Sequence, residues 1–145
     1  MIAYLDASAL VKHYVEEDGS DAVRRILGES VPVTSRLTEV ELTSAIARRA
    51  RQGDVSENVR DKLLGRLRQD LLSFYVVELV PEVVSQAGSL LLRHPLRAND
   101  AIQLASCLAV QARLPAAVRF VASDQRLNAA ARAEGLRVET GGAFP

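Results

Sequence analysis

Short runs of apolar, largely β-branched residues, each followed by a stretch of helical period, constrain this chain more than any other feature. Five runs read as strands: IAYL (2–5), PVT (32–34), YVVEL (75–79), VRFVA (118–122) and LRV (136–138). Most lack the apolar/polar alternation of a strand with one wet face, so they fit strands buried on both faces, as in a parallel sheet. Pro32 has no amide to donate and is expected first in its strand or at an edge.

Between the runs the period changes to 3.6. Residues 8–16 and 20–28 form a helix pair interrupted by the acidic turn EEDGS, and residues 37–51 end in a basic turn before Gly53. Ser56 is placed to cap the next helix, and Pro81 occupies a favoured first-turn position in the one after it. The segment NDAIQLASCLAVQARL (99–114) carries a broad apolar stripe, and a short helix over 124–133 ends near Gly135. Strands separated by helices predict an α/β fold: a three-layer sandwich with a mainly parallel five-stranded sheet and about seven helices. With 145 residues and no visible repeat or linker, the chain is expected to form a single domain over 1–145.

In such sheets, sites form beyond the carboxyl ends of the strands, near a switch in strand order. Asp6 and Asp124 stand at that end of two predicted strands. Each fits a helix cap. Asp100 lies in a first turn, where the helix dipole favours negative charge, and Thr38 with Glu41 has capping-box spacing. Taken together, two strand-end aspartates plus two acids near helix starts can converge on one small volume. Like charges so close repel unless a cation lies among them. Oxygen ligands without His or Cys suit a hard ion, Mg2+ or Mn2+, which activates water and offsets charge on a phosphate. The implied chemistry is water attack on a phosphodiester.

Four segments carry a family resemblance: YLDASALVKHYVEEDGS, TSRLTEVELTSAIARR, RANDAIQLASCLA and FVASDQRLNAAARAEGL. In order and spacing they resemble a PIN domain, with the VapC-type toxins of toxin–antitoxin pairs as the nearest group. The resemblance spans nearly the whole chain. It implies a metal-dependent endoribonuclease, sheet order 3-2-1-4-5, a homodimer and a cognate VapB-type antitoxin as partner. Matched position by position, it gives Asp6, Glu41, Asp100 and Asp124 as catalytic metal ligands, with Ser8 and Ser123 as supporting hydroxyls.

Glu41 has a competitor in Glu39. At 100° per residue the two point about 160° apart, and both directions are plausible burial faces. Periodicity leaves the choice open; the register of the resemblance selects Glu41.

Other features limit the alternatives. Lys plus Arg equals Asp plus Glu at 18 each, so a polyanion must be met by a local patch or through a metal. Cys107 is the only cysteine, which removes intrachain disulfides and cysteine-based zinc sites and suits a buried apolar role. No apolar run approaches the roughly 20 residues of a bilayer span, and no secretory leader is visible, so a cytoplasmic location is expected. Arg48, Arg49 and Arg51 complement a helix C-terminus, whereas Arg93, His94 and Arg97 precede Asp100 and are candidates for a phosphate contact. Tyr4, Tyr14, Phe74, Tyr75 and Phe120 suit core or half-buried positions. Two other functions compete. One is a catalytically silent PIN-like module for metal or protein binding. The other is a hydrolase with Asp6 as nucleophile, which requires a second nearby acid and a positioned lysine; Ser8 stands where D-x-D needs its second acid, and Lys12 and Lys62 are the only lysines.

Overall fold

The computed structural model describes residues 1–140. The chain alternates as expected. Strand β1 (Ile2–Leu5) leads into α1 (Ala7–Tyr14) and α2 (Ser20–Glu29). Then follow β2 (Val31–Ser35), α3 (Arg36–Arg51), α4 (Glu57–Ser73), β3 (Tyr75–Val77), α5 (Pro81–Arg93) and α6 (Ala98–Gln111). β4 (Val118–Ala122), α7 (Gln125–Ala133) and β5 (Arg137–Thr140) complete the described chain. The strands pair in parallel in the order β3-β2-β1-β4-β5, as the resemblance implies.

Neighbouring side chains on the central strands enter opposite cores, which is why those strands lack alternation. Tyr4 and Phe120 stack at 5.7 Å between ring centroids and pack with residues of α5, α6 and α7. Ala3, Leu5 and Val121 point the other way, into a second core with α1–α4 residues such as Leu10, Ile26, Leu42 and Leu67. The result is helix–sheet–helix layering. Cys107 is buried in the first core and burial pushes its thiol up, which fits the apolar role.

Three local expectations are corrected. Pro32 is the second residue of an interior strand. It faces Ala3 on the β1 side, while pairing with β3 begins only at Val33, so its missing amide costs no ladder bond. Tyr75 is exposed because β3 is a three-residue edge strand. Thr38 does not cap α3: Ser35 does, accepting the Leu37 amide, which places Thr38 and Glu41 inside the helix.

Candidate active site

From β1 the chain steps outward to β2 and β3, then returns to lay β4 on the other side of β1. The order therefore switches between β1 and β4, where carboxyl strand ends leave room for a ligand. Asp6 and Asp124 flank that point. Both are helix caps: the Ala9 amide donates to Asp6 Oδ1 and the Leu127 amide to Asp124 Oδ1, each at 3.1 Å. Capping and chemistry do not compete here, because a cap bond of this kind uses one carboxylate oxygen.

Ser8 joins the two corners. Its hydroxyl lies 2.8 and 3.0 Å from the two Asp6 oxygens and accepts the Ser123 amide at 3.0 Å. The Asp6 amide in turn donates to the Val121 carbonyl at 3.1 Å. Ser123 contributes a different feature from Ser8: its hydroxyl oxygen is buried without a hydrogen-bond partner. An orphaned oxygen beside Asp124 calls for a partner, since such a group is costly when nothing meets it.

Glu41 reaches the site from α3 and is held by two amides one turn apart on α6. Gln103 Nε2 donates to Oε1 at 2.9 Å and Asn99 Nδ2 to Oε2 at 3.1 Å. Glu39 faces away and pairs with Arg36 at 3.3 Å. Asp100 lies in the first turn of α6, 3.4 Å from the Arg97 amide. All four predicted acids thus gather at one end of the sheet.

Their electrostatics show mutual influence. Burial raises the Asp6 carboxyl to about 7; Ser8 and the Ala9 amide oppose the rise, and the Glu41 charge adds to it. Asp100 is raised by burial first, then by the charges of Asp124 and Glu41. Among the described residues no three such side chains close into a ready ligand cage. Repelling carboxylates held at one rim by separate scaffolds form an open set. The donors nevertheless fit a hard divalent ion: carboxylate oxygens, a buried orphan hydroxyl, and two acids, Asp6 and Asp100, raised by burial and further by a neighbouring acid's charge.

The surroundings narrow the chemistry further. Lys12 bonds the Asp18 carbonyl and lies 3.8 Å from Glu17, which occupies the lysine an Asp6 nucleophile would need. Arg93 and His94 are engaged by Glu134, at 2.9 and 2.6 Å, and Arg97 remains as the exposed cation whose charge acts on Asp100. An apolar cavity of about 440 Å3 lies elsewhere, against Ile2, Val31, Tyr75 and Val83, and contains none of the four acids.

Sequence reasoning missed Gln103 and Asn99, and took Tyr4 only as core. The available signal was Gln103 itself, an amide within the apolar stripe of α6 that is 1 % exposed. Asn128 was also missed; its amide donates to the Ala122 carbonyl at 3.0 Å and braces the turn that carries Asp124.

Comparison with known proteins agrees with this fold. Ribonuclease VapC45 and ribonuclease VapC49, from two strains of Mycobacterium tuberculosis, are each 37 % identical over 142 residues, covering 94 % of both chains. Among solved structures, FitAB bound to an IR36 DNA fragment has a TM-score of 0.71 at 13 % identity, covering 99 % of this chain and 98 % of that one. A toxin–antitoxin complex from Klebsiella pneumoniae has a TM-score of 0.69 at 16 % identity, with 98 % and 99 % covered. Mycobacterium tuberculosis VapC20, described as a sarcin–ricin loop cleaving toxin, has a TM-score of 0.66 at 16 % identity, with 92 % and 95 % covered. The PIN domain match itself extends over residues 3–133, and the chain belongs to the PIN domain family.

Proposed function

We propose that this chain is a VapC-type toxin: an endoribonuclease that uses Mg2+ or Mn2+ to hydrolyse RNA phosphodiester bonds. The observation that carries the reading is the gathering of Asp6, Glu41, Asp100 and Asp124 at the β1/β4 switch point, in a chain 37 % identical to two ribonucleases VapC. These four side chains would hold the ion. When bound, it would supply Lewis-acid activation of water and charge relief at the scissile phosphate.

The chain's own residues do the rest. Ser8 orients the Asp6 carboxylate and fixes its separation from the β4 corner. Asn99 and Gln103 hold Glu41 with neutral donors, which leaves its charge available to a cation. Arg97, whose charge acts on Asp100, would meet a phosphate of the RNA backbone.

A VapB-type antitoxin as partner, a homodimeric state and a cytoplasmic setting belong to the same proposal. The structural neighbours include toxin–antitoxin complexes, which supports the partner. No described helix is long and apolar enough to cross a membrane.

The test is cleavage of an RNA panel by purified protein in Mg2+, with EDTA and with Asp100→Asn. Cleavage abolished by both treatments, with the fold retained, is the expected result. Metal binding with no cleavage of any RNA would instead favour a silent module, and undiminished cutting by Asp100→Asn would remove the metal mechanism.

A further inference from the structure

Building on that ribonuclease reading, we propose that Gln103 is a positioning residue: it aims the Glu41 carboxylate and sets its separation from Asp6. Gln103 is 1 % exposed, in the middle of the apolar face that α6 turns to the sheet. A buried amide there persists only with its hydrogen bonds made. It makes three hydrogen bonds, to Tyr4, Thr38 and the site acid Glu41.

The amide orientation follows from its partners. A carboxylate only accepts, so the atom 2.9 Å from Glu41 Oε1 is the NH2 group, and its second N–H reaches Thr38 Oγ1, also at 2.9 Å. The amide oxygen then faces the Tyr4 hydroxyl at 2.6 Å. Tyr4 is fully buried, and its hydroxyl donates to that oxygen. Glu41 excludes the flipped amide, which would turn an oxygen toward an acceptor-only carboxylate, and the Tyr4 hydroxyl holds the amide oxygen from the other side.

The network continues beneath the site. Thr38 Oγ1 lies 2.8 Å from Thr34 Oγ1, and Thr34 donates to the Leu5 carbonyl at 2.7 Å. Leu5 immediately precedes Asp6. A continuous chain of hydrogen bonds thus connects the Glu41 carboxylate to the backbone that carries Asp6, through Gln103, Thr38 and Thr34. Every side-chain link in it is uncharged. A lysine or arginine in place of Gln103 would set a positive charge against Glu41 and oppose a cation there.

The experiment measures Mn2+ affinity by calorimetry and RNA cleavage kinetics for the parent, Gln103→Leu, Glu41→Gln and the double variant. Gln103→Leu is expected to weaken Mn2+ binding about 10-fold, the range for residues that orient metal ligands. The kcat should fall while KM for RNA is retained. In the Glu41→Gln background the same change should add no further loss, because its effect passes through Glu41. Tyr4→Phe removes only the hydroxyl that fixes the amide and should give a smaller loss in the same direction; it carries the test if Gln103→Leu does not fold. Parent-like Mn2+ affinity in a folded Gln103→Leu (or in Tyr4→Phe, if that variant carries the test), or an equal loss with and without Glu41, overturns the positioning role and leaves the ribonuclease reading standing. A parent protein that neither binds Mn2+ nor cuts RNA overturns both.

Discussion

The Ser123 amide donates to the Ser8 hydroxyl at 3.0 Å across 115 residues of sequence, so the turn after β4 hangs from the turn after β1. The same hydroxyl serves both Asp6 oxygens. Ser8 is therefore the point at which the two aspartate corners are held in register, and the parallel pairing of Leu5 with Val121 brings them within its reach.

Replacing Ser8 with alanine should separate activity from stability. The Ser123 amide loses its acceptor and Asp6 its hydroxyl donor, at a cost of about 1–3 kcal/mol in urea denaturation. RNA cleavage should fall further, by about 10- to 100-fold, because an acid at the site is no longer oriented. Comparing the unfolding midpoint with kcat/KM for one RNA checks both. Activity that falls no more than stability would reduce Ser8 to a structural link.

The two glutamates of α3 should behave differently. Glu41 is held by Gln103 and Asn99, whereas Glu39 pairs with Arg36 in solvent. Glu39→Gln is expected to change stability by under about 1 kcal/mol, as for exposed ion pairs, and to leave cleavage within about twofold. Glu41→Gln should remove most of it. Parallel cleavage assays on the same RNA decide the choice that periodicity left open.

Legibility in the sequence followed how local each feature is. Asp6, Asp124, Ser56 and Pro81 could be placed because strand ends, caps and first turns depend on a few neighbouring residues. The capping-box reading of Thr38 and Glu41 failed because Ser35 starts the helix a turn earlier, a matter of where β2 ends. Pro32 was misplaced because tolerance for it comes from the short β3, whose pairing starts one residue later. Gln103 was out of reach for a stronger reason. Its partners come from β1 and α3, so its role exists only once α6 packs across the sheet end. The candidate acids are readable as a pattern, whereas the groups that hold them belong to tertiary structure.

Asp6 predicts an inverse relation between metal-free stability and function. Its carboxyl is raised by burial to about 7, from about 3.9 in an unfolded chain. The folded state therefore binds the Asp6 proton more tightly. Its contribution to stability is full below about pH 4 and is lost as pH rises through about 7. Asp6→Asn keeps an oxygen for the Ala9 amide and removes the charge. Metal-free Asp6→Asn should be more stable than the parent at about pH 8, with the gap closing toward about pH 4. Urea titrations in EDTA across that range measure it. The variant should not cleave RNA.

Glu134 gives the opposite sign in a cluster with Arg93 and His94. It joins the end of α5 to the end of α7, lying 2.6 Å from His94 Nε2 and 2.9 Å from Arg93 Nη2. The His94 bond, and then Arg93, hold its carboxyl below the usual glutamate value. A depressed carboxyl stabilises the fold above its unfolded value of about 4.3, and that contribution disappears as pH falls through the folded value. Glu134→Gln should therefore cost about 1 kcal/mol or less near neutral pH, the level of a solvent-screened pair, and less at about pH 3. Urea unfolding of parent and variant at the two pH values tests the sign, and cleavage per folded molecule should be unchanged, since none of the four site acids contacts this cluster. A gap that persists at low pH would mean that Glu134 acts by packing α7 against α5 rather than by its charge.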